Sequence, residues 1–248
     1  MAGLDPVIQG EVLVVSISSP PGMSCGDLLD LGRRPTSLRR MARGLFITFE
    51  GGEGSGKSTQ VARLAERLRH GGIETVVTRE PGGTPLGESV RALVLDSSPE
   101  PVTELLLFAA ARAEHVGKLI RPALDHGTWV VCDRFIDSTR VYQGLLGGVP
   151  RDLIGAIESH SVAPTVPDLT FVMDLPAEVG LKRAEARGAL SRFDAQSTDY
   201  HRRLREGFRE IARAEPARCL LIDADRDPDT IAGEIWRTVA ERFLVKAP

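Results

Sequence analysis

Asparagine is absent from all 248 residues of the chain. A guanine-reading Asn-Lys-x-Asp motif is therefore impossible, which removes the usual switch GTPase from the functions open to it. Cysteine is scarce: Cys25, Cys132 and Cys219 lie far apart, and the last two fall in apolar, strand-like runs where a cysteine serves as a small core residue. That usage suits a reducing cytosol. The five histidines, His70, His115, His126, His160 and His201, form no H-E-x-x-H or mixed Cys/His pattern, so no protein-held structural metal is expected. Neither sign of charge dominates. A formal net charge of −3 gives no broad field for a nucleic-acid backbone or an anionic membrane, so neither is an expected partner, and affinity for phosphate must come from locally placed arginines. Long apolar runs are also lacking. Val12-Leu13-Val14-Val15 is too short for the core of an export signal, and Asp5, Glu11, Asp27 and Asp30 argue against an acid-poor mitochondrial transit peptide, so a cytoplasmic location is expected.

With 42% hydrophobic and 26% charged residues, the composition is that of an ordinary globular protein, long enough for one large α/β domain. From Leu45 onward, apolar runs at 45–49, 74–78, 128–132, 169–174 and 218–222 alternate with helical patterns such as Leu64/Leu68 and Leu105/Phe108/Arg112. This βα rhythm predicts a five-stranded parallel sheet with helices on both faces. Residues 1–43 differ, with Ser-Ser-Pro-Pro at 18–21 and a basic run through Arg33, Arg34, Arg39, Arg40 and Arg43; they read as a disordered N-terminal extension to a domain over 44–248. Because Met41 stands four residues before the first strand, the plain expectation is that translation starts there and the preceding stretch is an over-extended reading frame.

The functional signal is concentrated between Phe49 and Thr59. Gly51, Gly56, Lys57 and Ser58 fill the pattern G-x-x-x-x-G-K-[ST] between a strand and a helix, which sets backbone N–H groups and a helix N-terminus around a triphosphate. Within Gly51-Gly52-Glu53-Gly54-Ser55-Gly56-Lys57-Ser58-Thr59, the glycines let the backbone approach closely, Lys57 brings charge to the β- and γ-phosphates, and the Ser58 hydroxyl suits Mg²⁺. In open α/β sheets, ligands lie beyond the carboxyl ends of the strands. Those ends carry Thr78-Arg79-Glu80-Pro81-Gly82-Gly83, Asp133-Arg134-Phe135 and Asp174-Leu175-Pro176. Asp133 closes an apolar strand, where P-loop enzymes place a magnesium-holding carboxylate; a helix cap or an ion-pair partner of Arg134 would have the same signature. Arg183 and Arg187 share a helix face that Gly188 can end, so about 183–195 reads as a short arginine-bearing lid, although taken alone it reads equally as a solvated basic face. A mechanical ATPase would need a repeat or a long basic channel. A small-substrate kinase fits better: an ATP site, a magnesium carboxylate, acceptor-side arginines and a lid that excludes water.

Four segments carry a closer resemblance: Glu50 to Thr59, Thr78 to Thr84, Asp133 to Ser138 with Tyr142-Gln143-Gly144, and Arg187 to Asp194. In order and spacing they resemble bacterial thymidylate kinases, within the P-loop nucleoside-monophosphate kinases, over about 44 to 243. The resemblance implies the reaction ATP + dTMP → ADP + dTDP with Mg²⁺, a step in dTTP synthesis, carried out by a homodimer. It is to the subtype whose P-loop lacks an arginine and whose lid supplies one. Another nucleoside-monophosphate kinase with a different acceptor base is the nearest alternative, and a non-catalytic nucleotide-binding module is a more distant one.

The resemblance also implies residue roles. Phe108 would stack on thymine and Arg112, one helical turn later, would bond its edge; without the resemblance Phe108 reads as plain core. Thr139 and Gln143 would face the base, and the Tyr142 ring would crowd the sugar 2′ position. Glu53, odd inside an anion-binding loop, would point outward to the acceptor's 3′-OH. Arg134 and Arg79 would clamp the dTMP phosphate. Lys57, Asp133, Arg134 and Arg187 would carry catalysis, with Arg183 at the ATP; Glu185 between the two lid arginines leaves Arg192 as a second candidate for the catalytic one. No general base is called for, because a phosphate monoester has a second pKa of about 6 and its oxygen is already ionised at neutral pH.

Overall fold

The computed structural model describes residues 43–186, 188 and 191–244. The expected extension, apart from Arg43, the alternative start at Met41 and the lid's Arg187 lie outside the described residues. Strands β1 (Phe46–Gly51), β2 (Thr75–Arg79), β3 (Trp129–Asp133), β4 (Leu169–Asp174) and β5 (Cys219–Asp223) form one parallel sheet in the order β2-β3-β1-β4-β5. Each falls within two residues of the run read from the sequence. The helices are α1 (Lys57–His70), α2 (Pro85–Asp96), α3 (Pro101–His115), α4 (Arg121–Asp125), α5 (Ile136–Thr139), α6 (Arg151–Ser161), α7 (Ala177–Ala186), α8 (Thr198–Ala214) and α9 (Pro228–Val239). A π-helical stretch, Val116–Ile120, joins α3 to α4, and another, Arg140–Leu146, extends α5.

The period-two alternation of the strands explains why helices cover both faces. Ile47 and Phe49 of β1, with Val131, Phe171 and Met173, pack against Val61, Leu64 and Leu68 of α1 and Ile231 and Ile235 of α9. On the other face Phe46, Val130 and Cys132 meet Val116, Ile120 and Leu124, and Val172 meets Leu204 and Phe208 of α8. Each fully buried side chain of this size contributes about 1.5–3 kcal/mol. The second face also carries a polar seam. Thr48 and Thr170 share a hydroxyl hydrogen bond of 2.7 Å, Arg218 donates to Thr170 Oγ1 at 2.8 Å, and two Arg218 nitrogens grip the buried Asp137 at 2.8 and 2.9 Å. Arg140 joins this seam rather than the sheet's ligand edge, pairing with Asp137, Glu158 and Glu215.

Two helix starts are legible in local chemistry. Thr84 caps α2 by accepting from Gly87 N, with Pro85 in the first turn, and Asp227 caps α9 ahead of Pro228. In register, Phe49 of β1 faces Asp133 of β3, so the loops leaving these neighbouring strands emerge side by side.

Candidate active site

The loop after β1 turns on left-handed glycines, with φ of 134° at Gly51, 69° at Gly54 and 85° at Gly56. Gly54 is also needed for space, because a Cβ there would lie 2.2 Å from the carbonyl oxygen of Gly180 on α7. Lys57, in the first turn of α1, folds back along the loop and donates to Gly51 O at 3.1 Å and Gly52 O at 2.7 Å. Burial, and then the charge of Arg134, bring its pKa down to about 8. Ser55 is buried, its hydroxyl on Gly52 O at 2.8 Å, while Thr59 is exposed on α1.

Ser58 Oγ donates to Asp133 Oδ2 at 2.5 Å, so the hydroxyl at the start of α1 and the carboxylate at the end of β3 meet. Both offer hard oxygen atoms, which Mg²⁺ takes. Among the described residues no group of three or more metal-ligating side chains comes together. The pair therefore fits an ion that keeps most of its shell from phosphate and water oxygens, as Mg²⁺ does beside a nucleotide.

Arg134 follows Asp133 and is the one non-glycine described residue with positive φ, at 68°. Such a conformation costs about 1–2 kcal/mol. It aims the guanidinium at the glycine loop, where it donates to Gly51 O at 3.0 Å, Ser138 Oγ at 3.3 Å and Glu53 Oε1 at 3.0 Å, and lies 5.2 Å from the Tyr142 ring centroid. Tyr142 OH donates to the same Glu53 oxygen at 2.6 Å. Burial opposes ionisation of Glu53, but Arg134, His201, Lys57 and Tyr142 outweigh it and hold the carboxyl well below the usual carboxylate range. Its other oxygen, Oε2, has no hydrogen-bond partner among the described residues, with His201 Nδ1 3.7 Å away. Beneath, buried Glu50 accepts from Phe135 N at 2.8 Å, Ser138 N at 3.1 Å and Ser138 Oγ at 2.6 Å, which fixes the Asp-Arg-Phe loop on β1. Burial, then the nearby Asp137, push the Glu50 pKa up to about 7.

One cavity gathers every acceptor-site residue read from the sequence except Arg79: Glu53, Phe108, Arg112, Arg134, Thr139, Tyr142 and Gln143 all line it. Phe108 lines the cavity and also packs with Val90 and Val94. Arg112 is buried, with Nε donating to Glu80 Oε2 at 2.6 Å and Nη2 to Phe135 O at 3.3 Å. Thr139 Oγ1 is buried without a partner among the described residues. Arg79 instead donates to Glu88 at 2.9 Å, and Arg91 of α2 lines the cavity, held by Pro81 O at 3.2 Å. Of the lid arginines, Arg183 rests on Ala224 O at 3.2 Å and Asp225 at 3.4 Å, and Arg192 pairs with Glu104 of α3, so neither lines the cavity. The sequence reading missed Arg91, Glu80 and Glu104. Glu80 was visible as a carboxylate in a strand-end loop beside Arg79; Arg91 and Glu104 sit on helices whose periodicity alone does not say which turn lines the cavity and which stands behind it.

The thymidylate kinase family model matches residues 49–235. The chain is similar to a thymidylate kinase of Bradyrhizobium diazoefficiens, 53% identical over 212 residues that make up 83% of this chain and 93% of the relative. It is as similar to that of Caulobacter vibrioides, 53% identical over 206 residues, covering 82% of this chain and 99% of the relative. Among solved structures, the thymidylate kinase of Ehrlichia chaffeensis superimposes with a TM-score of 0.65 at 37% identity, over 79% of this chain and 99% of that one. On the match to the family model, on these identities and on the fold, the chain belongs to the thymidylate kinase family.

Proposed function

We propose that the cavity takes dTMP, that the glycine loop takes ATP, and that Lys57 and Arg134 flank the phosphates where the two meet. As a member of its family the chain is an enzyme, a thymidylate kinase, that phosphorylates dTMP to dTDP. The observation that carries the residue assignment is the cavity lining, which sets an aromatic ring, Phe108, beside a donor, Arg112, and an amide, Gln143, with Arg134 and Glu53 connecting them to the glycine loop. That set suits a flat base with a polar edge at one end and a phosphate at the other.

Arg134 and Arg91 meet the dTMP phosphate, and Arg79 reaches it by releasing the exposed Glu88. Thr139 Oγ1 faces the base, and the unpartnered Glu53 Oε2 accepts the 3′-OH. The Tyr142 ring, tethered through its hydroxyl to Glu53, blocks the 2′ position. On the donor side, residues Gly51 to Thr59 hold the triphosphate, and Arg183 stands by the nucleotide. Ser58 and Asp133 would hold Mg²⁺, whose charge would offset that of the β- and γ-oxygens. Repulsion between two polyanions is the main barrier; Lys57 and Arg134 lower it from the protein side, and the lid brings a further guanidinium, Arg187 with Arg192 as the alternative.

We also place the enzyme in the cytoplasm, among the described residues of which no helix is long and apolar enough to cross a membrane. The exposed Leu93 of α2 and Val102 and Leu106 of α3 support a homodimer through these packed helices. Purified protein with ATP-Mg²⁺ and a panel of dTMP, dUMP, AMP, CMP and GMP tests the acceptor assignment. Preferential turnover of dTMP is expected; a preference for AMP, CMP or GMP would overturn it.

A further inference from the structure

Glu104 of α3 stands behind the cavity and does not line it. Its side chain is only 9% exposed, and its two oxygens serve different partners. Oε1 accepts from Gln143 Nε2 at 2.6 Å, and Oε2 pairs with the guanidinium of Arg192 in the lid segment. A carboxylate can only accept hydrogen bonds, whereas an amide carries a donor at one end and an acceptor at the other. Next to Glu104, the Gln143 amide therefore has one satisfactory orientation, with its NH₂ on the carboxylate and its carbonyl oxygen turned the other way. Gln143 lines the cavity, and among the described residues its amide is hydrogen-bonded through Nε2 alone.

We propose that Glu104 is a positioning residue that sets base specificity by locking the Gln143 amide so that the cavity presents an acceptor. A thymine ring carries an N3–H donor on its pairing edge; a cytosine ring carries a lone pair at N3 and an amino group beside it. A fixed carbonyl matches the first and repels the second. An unrestrained glutamine amide would flip and accommodate either. The proposal rests on the assignment of dTMP to the cavity, where Arg112 supplies a donor beside the Gln143 acceptor.

The test is steady-state kinetics on the full-length enzyme, reading the inhibition constant of dCMP relative to the KM for dTMP. Glu104→Gln can offer either end of its own amide to Gln143, so the ratio is expected to fall about tenfold. Glu104→Met, of similar length and with only a weak thioether acceptor, is expected to give the same fall. Loss of the Arg192 pairing lowers kcat for every acceptor but leaves the ratio unchanged, which separates the two consequences of the substitution. In a Gln143→Met background no amide remains to be set, and Glu104→Gln should then leave the ratio where Gln143→Met put it. An unaltered ratio in both single variants, or an equal fall in the Gln143→Met background, overturns the role of Glu104. Failure of the unmodified enzyme to turn over dTMP would instead overturn the reading of the cavity.

Discussion

Lys57 is buried beside a second cation, and both conditions press its ammonium toward the neutral form, to a pKa of about 8. A neutral amine no longer attracts the β- and γ-phosphates, so the KM for ATP is expected to rise as pH passes 8. Lys57→Arg, which stays charged, should flatten that rise whatever it does to kcat. A wild-type KM for ATP that stays level from roughly pH 7 to 9 would show that Lys57 keeps its proton in the working enzyme. Arg187 poses the complementary case, a cation assigned by resemblance alone. Arg187→Ala is expected to lower kcat about a thousandfold or more with little change in the KM for dTMP. Near-normal turnover would remove it from the mechanism and leave Arg192. At this scale, residues in the strand-end motifs were legible because their chemistry is unusual: a carboxylate closing a strand, an arginine following it, a lysine after glycines. Arg91 and Glu104 were not, because an arginine or glutamate on an amphipathic helix is ordinary, and only the packing of α2 and α3 sets Arg91 in the cavity wall and Glu104 behind it.

At the level of elements, the glycine loop and α7 are fitted against each other backbone to backbone. A Cβ on Gly54 would meet Gly180 O at 2.2 Å, and a Cβ on Gly180 would meet Glu53 O at 2.5 Å. Gly54→Ala adds that collision to a positive φ, and is expected to destabilise the protein by about 1–3 kcal/mol and to weaken ATP more than dTMP, as read by thermal unfolding and by the two KM values. Equal losses for both substrates would place the damage in the general fold instead. The short helix α5 shows what sequence reading could not reach. Its position depends on Glu50 from β1 and on Arg218 just before β5, which grips Asp137 across 81 residues of chain. Strand runs are local and were readable to within two residues, whereas such long-range polar pairings leave no periodic trace.

For the whole molecule, the parallel order β2-β3-β1-β4-β5 puts β1 in the middle, so that its last residues sit among charges contributed by the rest of the chain. Glu50 bears the consequence, its pKa raised by burial and by Asp137 to about 7 against an ordinary 4.5. The native state thus holds the proton more tightly than the unfolded chain, so this contribution to stability is complete below about pH 4.5 and is lost as pH rises through about 7. The Tm of wild type minus that of Glu50→Gln is expected to shrink across that interval; a difference constant with pH would mean that Glu50 titrates normally. The seam between Gly54 and Gly180 has a different kind of consequence. Both partners are already the smallest residue, so neither position can shrink to accommodate growth at the other. No single second-site change at this pair can rescue a bulkier residue, and drift through either position is closed from both sides.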